Sequence, residues 1–198
     1  MAQKYPETLN SLISYLKKLP GVGARTAERF AFELIRWPPA LLEEMGLLFS
    51  EVPKKIIPCS TCGCLTQENS CRFCENRDTS SLCLISSPRD AYAIEETHVY
   101  RGLYHVIEHL LSPLDNRHAA QLRLDRIEAR IEKHQIKEII LAFDSTLEGD
   151  TTALYLKQQL SKYPLSISRL AFGLSVGSTL EYTDPGTLSR ALSGRQSI

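Results

Sequence analysis

Apolar residues recur along the first fifty positions at helical spacing. Leu9, Leu12, Ile13 and Leu16 follow i, i+3, i+4, i+7. They predict a helix opening at Tyr5-Pro6-Glu7, with the proline near the first turn, where its missing N–H does no harm. The stripe stops at Leu19-Pro20-Gly21-Val22-Gly23. A second helix is predicted from about Ala24 to Ile35, with Ala27, Phe30, Ala31, Leu34 and Ile35 apolar and Arg25, Arg29 and Arg36 on the opposite face. Trp37-Pro38-Pro39 ends it. A third, from Ala40 to about Val52, offers Leu41, Leu42, Met45, Leu48 and Phe49 for burial and Glu43 and Glu44 to solvent. Pro53 to Pro58 reads as a connector with Lys54 and Lys55 solvated, DNA contact being the alternative for the two lysines.

Beyond residue 80 the pattern changes. Leu82–Ile85 and Ile139–Phe143 are short continuous apolar runs, read as buried strands, and Leu165–Phe172 as another. Asp90–Glu96, Leu103–Leu111, Gln121–His134 and Thr152–Tyr163 read as helices, with His105 and His109 on one face of the second. Strands alternating with helices predict a mostly parallel sheet covered on both faces. The tail from Gly173 is rich in Gly, Ser and Thr. Leu174, Val176, Leu180, Leu188 and Leu192 make it too apolar for a free linker, so it is expected to dock on this domain or on a neighbouring subunit. The expected fold class is multidomain, α and α/β, divided at residues 1–53, 54–79, 80–175 and 176–198.

The chain has 198 residues, 43% of them hydrophobic, with 23 basic and 23 acidic side chains. This is an ordinary globular composition with no net charge. A nucleic-acid role would therefore need a local basic face. No apolar run approaches the ~20 residues of a membrane helix, and Met1 to Glu7 carries no signal-peptide core. A cytoplasmic location without membrane contact is expected.

Four of the six cysteines form two pairs, Cys59-Ser60-Thr61-Cys62 and Cys71-Arg72-Phe73-Cys74. Facing Cys-x-x-Cys turns make a tetrahedral four-thiolate site for Zn²⁺, closed to water and therefore structural. The alternative is disulfides, which need an oxidising compartment and fit poorly within one such turn. One zinc per chain is expected, and its binding energy is expected to stabilise the N-terminal half. Cys64 follows closely enough to compete as a ligand. Cys83 sits in an apolar run and reads as a small buried hydrophobe.

Helix, Leu-Pro-Gly-Val-Gly, helix is similar to the helix-hairpin-helix of DNA-repair proteins. Gly21 and Gly23 allow a tight turn and close backbone approach. The N–H groups opening the second helix form an anion site suited to a DNA phosphate. Arg25 and Arg29 lie one turn apart, and Lys17 and Lys18 precede the hairpin. From residue 1 to 36, six basic residues face three acidic ones, a local +3. The alternative is a plain helical hairpin with a solvated charged face.

Asp144, Glu148 and Asp150 cluster after the run Ile139–Phe143, at the sheet edge where open α/β folds bind ligands. They suit Mg²⁺, and the region resembles a Toprim domain. Catalytic Toprim sites also place a glutamate after the first strand, where Ser86-Ser87-Pro88 stands here. That departure argues against strand cleavage or polymerisation. The alternative for Asp150 is a helix N-cap or first-turn acid, and for the acidic corner of Asp144, Glu148 and Asp150 a partner-binding surface.

Taken in order, the hairpin, the Cys₄ module and the Toprim region resemble the RecR family of bacterial recombination proteins over nearly the whole chain. Supporting stretches include Ser87-Pro-Arg-Asp90, Tyr100-Arg-Gly-Leu-Tyr-His105, Leu111-Ser-Pro-Leu114, Thr146-Leu-Glu-Gly149, Ala153-Leu-Tyr155 and Thr187-Leu-Ser-Arg-Ala-Leu192. The chain departs from the family at Ser86, usually acidic, at Glu108-His109, usually Gly-Gly, and at Asp144-Ser145, usually Asn-Pro. The resemblance implies a non-enzymatic mediator that forms ring-shaped oligomers, often tetramers, around DNA. It would act with RecO and RecF to load RecA on single-stranded DNA. By position it implies DNA contact at Arg25 and Arg29 and partner contact at Glu148. A different class remains open, a Mg²⁺-dependent nuclease or primase-like enzyme built on Asp144, Glu148 and Asp150. So does a third, a zinc-stabilised protein adaptor without DNA contact.

Overall fold

The computed structural model describes residues 4–67, 70–112, 115, 117–171 and 173–195. The chain divides into two compact units, Met1–Lys55 and Ile56–Ile198.

The first unit is helical: α1 (Glu7–Leu16), α2 (Ala24–Leu34) and α3 (Pro39–Lys55). Its core is small. Ile13, Ala27 and Ala31 are buried, with Tyr5, Leu9, Leu12, Leu16 and Val22 packed around them. The two alanines permit close approach of α2 to α1. Helix α3 differs from expectation. It runs through Pro53 to Lys55, so the expected connector is divided between this helix and the strand that follows. None of its residues is buried. Leu41, Leu48 and Phe49, expected in a core, are 44%, 53% and 67% exposed, and Leu42 and Met45 are half-buried. The amphipathic pattern is present, but among the described residues its apolar face stays largely exposed.

The second unit opens with an antiparallel ribbon, β1 (Ile56–Pro58) on β2 (Leu65–Gln67). Four strands, β3 (Asp78–Ile85), β4 (Gly102–Val106), β5 (Glu138–Ala142) and β6 (Ser166–Arg169), form an all-parallel sheet in the order β4-β3-β5-β6. Alternation along β3 separates two cores, as the two-residue period of a strand requires. Leu82 and Leu84 face Ile127 and Ile131 of α5 (Leu124–His134) and Leu156 and Leu160 of α6 (Leu147–Leu160). Cys83 and Ile85 share the other core with Tyr104, Ala91 of α4 (Pro88–Glu96), Cys62, Cys64, Cys71 and Phe73. The cysteine module thus covers one face of the sheet beside α4.

Several elements depart from the sequence reading. Leu103–Leu111 is not a helix: Gly102–Val106 is strand β4, pairing Leu103 with Leu82 and Tyr104 with Cys83. His105 is therefore a buried strand residue, and His109 shares no helix face with it. Helix α5 starts at Leu124, after a 3₁₀ turn at Ala119–Leu122 and a break at Arg123, whose φ is +47°. Helix α6 starts five residues earlier than expected because Thr146 caps it, its Oγ1 accepting from Gly149 N at 3.1 Å. Gly149 is required here, since a Cβ would lie 2.2 Å from the Asp144 carbonyl. Strand β6 covers only part of 165–172, and Phe172 lies outside the described residues. The tail contains α7 (Pro185–Ser193), but Val176, Leu180 and Leu192 stay exposed. It attaches by polar contacts instead: Arg190 meets Ser145 Oγ and lies 3.3 Å from Asp150.

A nearly buried ion pair fixes β4 to α4. Arg77 bridges both Glu95 oxygens at 2.7 and 3.1 Å and donates to Gly102 O, while Tyr104 Oη donates to Glu95 at 2.7 Å. These hydrogen bonds, first among them those from Arg77, hold the Glu95 carboxyl below its usual range. Glu95→Gln keeps the shape and removes the charge. It is expected to cost about 2 kcal/mol at neutral pH. Because the folded-state pKa is the lower one, this contribution is present above the carboxyl's unfolded value. It is lost as the pH falls through the folded one. The gap in melting temperature between wild type and Glu95→Gln should therefore close in acid; a gap independent of pH would exclude the charge as its source.

Candidate metal centre and nucleic-acid interface

The first Cys-x-x-Cys turn is built by backbone geometry. Gly63 N donates to Cys59 O, and Cys59 N to Cys64 O, both at 2.8 Å. Gly63 takes φ +78°, the left-handed region. A Cβ there would lie 2.9 Å from Val106 Cβ, while Val106 N donates to Cys62 O at 2.8 Å. The turn is thus bonded directly to the end of β4. Gly63→Ala is expected to cost about 1–2 kcal/mol for the conformation alone, and more with the clash, read as a lower denaturation midpoint. In the second turn, Cys74 N and Glu75 N both donate to Cys71 O.

The two turns bring together the four cysteines expected from the spacing. Sγ atoms of Cys59, Cys62, Cys71 and Cys74 all lie within 4.8 Å of one another. Cys62 to Cys71 is 3.6 Å and Cys59 to Cys74 is 3.9 Å. A tetrahedron of sulfurs each ~2.3 Å from Zn²⁺ has edges of ~3.8 Å, so the donor set fits such an ion. Electrostatics agrees. Hydrogen bonding from Cys64 first, then from Cys74, pushes the Cys62 thiol far down, while Cys64, Cys71 and Cys74 are pushed up, Cys71 chiefly by burial. These sulfurs favour the Cys62 thiolate and resist those of Cys71 and Cys74; four thiolates together require a compensating positive charge. Cys64 is buried but outside the group of four, and Cys83 is a buried thiol whose pKa burial raises to about 12.

At the hairpin, Leu19-Pro20-Gly21-Val22 forms a turn closed by Val22 N to Leu19 O at 3.1 Å, with Gly21 at φ +76°. Proline second and a positive-φ glycine third is type II chemistry. Gly23 is the N-cap of α2 and brings no side chain to the helix end, and no acid occupies the first turn. The first N–H groups of α2 therefore lack intrahelical partners, and Arg25 adds positive charge where the helix dipole is already positive. An outside anion suits that arrangement. Of the acids in this stretch, Glu28 pairs with Lys4 at 3.1 Å and Glu33 with Arg36 at 3.8 Å. Lys17, Lys18, Arg25 and Arg29 are exposed, and among the described residues none pairs with a carboxylate.

Asp144 is exposed, while Glu148 and Asp150 are half-buried in the first turn of α6. The three do not converge. Asp150 lies between two guanidinium groups, Arg169 at 2.7 Å and Arg190 at 3.3 Å. Those cations already neutralise the Asp150 carboxylate, and among the described residues the cysteine cluster is the group arranged to hold a metal. The role of Arg190, forty residues from Asp150, left no signal in the sequence. Asp90 also has a structural task. Its carboxylate accepts from Ser86 N, Ser86 Oγ and Ser87 N in the cap of α4.

Comparison with known proteins covers the same regions. A RecR helix-hairpin-helix family model matches residues 9–45, a Toprim domain model residues 80–171, and a RecR C-terminal model residues 173–196. "Recombination protein RecR" of Protochlamydia amoebophila is 54% identical over 194 residues, 97% of this chain and 98% of the relative. The proteins of the same name from Chlamydia caviae and Chlamydia trachomatis serovar D are 50% and 46% identical over 195 residues, with the same coverage. With a hairpin, a four-cysteine module and a Toprim sheet in this order, and that identity along nearly its full length, the chain belongs to the RecR family of recombination proteins.

Proposed function

We propose that the protein is a non-catalytic mediator of recombinational DNA repair in the cytoplasm. It holds DNA through phosphate contacts at the hairpin and acts with RecO and RecF to load RecA on single-stranded DNA. The observation that carries this is the hairpin's uncompensated charge: four exposed cations, without carboxylate partners among the described residues, beside the open amide end of α2. Such contacts position a protein on DNA without reading its sequence. In this reading Lys17, Lys18, Arg25 and Arg29 contact phosphates directly, and Gly21 and Gly23 let the backbone approach. Cys59, Cys62, Cys71 and Cys74 hold one structural Zn²⁺, and Asp144 and Glu148 belong to a surface for a protein partner.

Assembly into a ring, of four chains by resemblance, is supported by the apolar face of α3 and by Val176, Leu180 and Leu192 in the tail. These surfaces are costly to leave in water. In a ring, several hairpins facing one hole sum their fields although each chain is neutral. The Mg²⁺-enzyme reading is disfavoured by the arginines on Asp150 and by Ser86 in place of a glutamate. The test is reconstitution: RecA filament assembly on strands covered by single-strand-binding protein, with RecO and RecF, with and without this protein. Acceleration supports mediation. Mg²⁺-dependent nicking or extension of DNA that Asp144→Asn abolishes would replace it with the enzyme.

A further inference from the structure

A cavity of about 330 Å³ opens in the second unit at the carboxyl ends of β3 and β4, the sheet edge where α/β folds bind ligands. Its volume suits a small molecule. Arg123 and Arg126, at the start of α5, line it, and Glu108 is the acid among its described lining residues. Arg126 has no ion pair among the described residues; Arg123 has a loose, exposed one with Asp125 at 3.5 Å. His105, buried, also lines the cavity. Its Nδ1 lies 3.4 Å from Nη1 of Arg130, which also donates to Tyr104 O.

Arg130 is the unusual part. It is 6% exposed, no carboxylate pairs with it among the described residues, and its Nε has no hydrogen-bond partner. A buried charge without a counter-ion is costly. Arg130 does not itself line the cavity but contacts His105, which does; an anion held there by the two outer arginines would offset its charge through the low-dielectric interior. Beside them, Pro88 and Leu122 give an apolar wall.

We infer that this cavity binds a nucleoside phosphate, its phosphate held by Arg123 and Arg126 and its nucleoside against Leu122 and Pro88. The ligand is either a free nucleotide or the terminal nucleotide of a strand; the chemistry recognised is the same. All its described lining residues belong to the second unit and none to the hairpin, so its test is separate from that of the hairpin.

The test is calorimetric titration of the full chain with AMP, pyrophosphate, adenosine and a short 5′-phosphorylated oligonucleotide, for wild type, Arg126→Gln and Arg126→Glu. Position 126 is exposed on α5, so both variants should melt as wild type does. AMP and pyrophosphate should bind wild type and adenosine should not. Affinity should fall about tenfold in Arg126→Gln and further in Arg126→Glu. Weakening of AMP alone identifies a free nucleotide; equal weakening of the oligonucleotide identifies a strand end. Failure of both AMP and pyrophosphate to bind wild type, or unchanged binding in a well-folded Arg126→Glu, overturns the inference. Adenosine binding as tightly as AMP overturns the phosphate assignment.

Discussion

Cys59→Ser is expected to lose its metal and to unfold the module that covers one face of the sheet. Cys59 is the informative ligand to remove because it is only half-buried, whereas Cys62 is fully buried and its loss would mix metal with packing. In small four-ligand modules the apparent binding energy of Zn²⁺ is about 10–16 kcal/mol, and it is folding energy because no site exists in the unfolded chain. A chain with three thiolates forfeits much of that. The module contributes Cys62, Cys64, Cys71 and Phe73 to the core shared with Cys83, Ile85, Ala91 and Tyr104. Phe73 stands edge-on to Tyr92 and Tyr104 at 5.2 and 5.6 Å. Losing the module would uncover that core.

The damage therefore belongs to the sheet unit, Ile56–Ile198, rather than to the N-terminal half as a whole, as the order of motifs along the chain suggests. Metal analysis and thermal melting of the purified chain check this. Zinc should fall from one per chain to nearly none, with a large drop in melting temperature that a chelator reproduces in wild type. Cys64→Ser should keep its zinc, since Cys64 lies outside the four converging sulfurs. A zinc-free Cys59→Ser that melts like wild type would show that the module folds without metal.

What the sequence disclosed was whatever is chemically local. A Cys-x-x-Cys turn orients its two sulfurs by itself, so the cluster was legible from spacing. Leu-Pro-Gly-Val-Gly states its own turn type, and the runs at Leu82 and Ile139 could hardly be placed outside a core. Strand β4 reads as a helix from sequence because Leu103, Val106, Ile107, Leu110 and Leu111 also satisfy helical spacing. The decision is made elsewhere, by the pairing of Leu103 with Leu82 and by Ile107 N donating to Ile85 O. The exposure of α3 is hidden from the sequence for a related reason. A periodic stripe says that a face is apolar, not that the same chain covers it. The arginines on Asp150 and the buried Arg130 were invisible, since single charges far apart in sequence leave no pattern.

Arg25→Ala combined with Arg29→Ala is expected to weaken DNA binding by about a hundredfold at low salt, the effect of losing two phosphate contacts. Both side chains are exposed, make no ion pair among the described residues, and take no part in the Ile13–Ala27–Ala31 core. Folding should be unaffected, or slightly improved by relieving positive charge at the start of α2. Fluorescence anisotropy across a salt series separates phosphate contact from other modes. Each phosphate neutralised adds about 0.7 to 0.9 to the slope of log affinity against log salt, so the double variant should bind weakly and with a flatter slope. Arg36→Ala is the control: that arginine sits in the same stretch but is already paired with Glu33, and its loss should change little. Affinity and slope unchanged in the double variant would move the DNA contact away from the hairpin. A change of oligomeric state would make the hairpin an assembly surface, with any loss of DNA binding secondary to it. With the oligomer shown intact, the flattened slope is the decisive reading, because a folding defect lowers the amount of active protein without reducing the number of counterions that each bound complex releases.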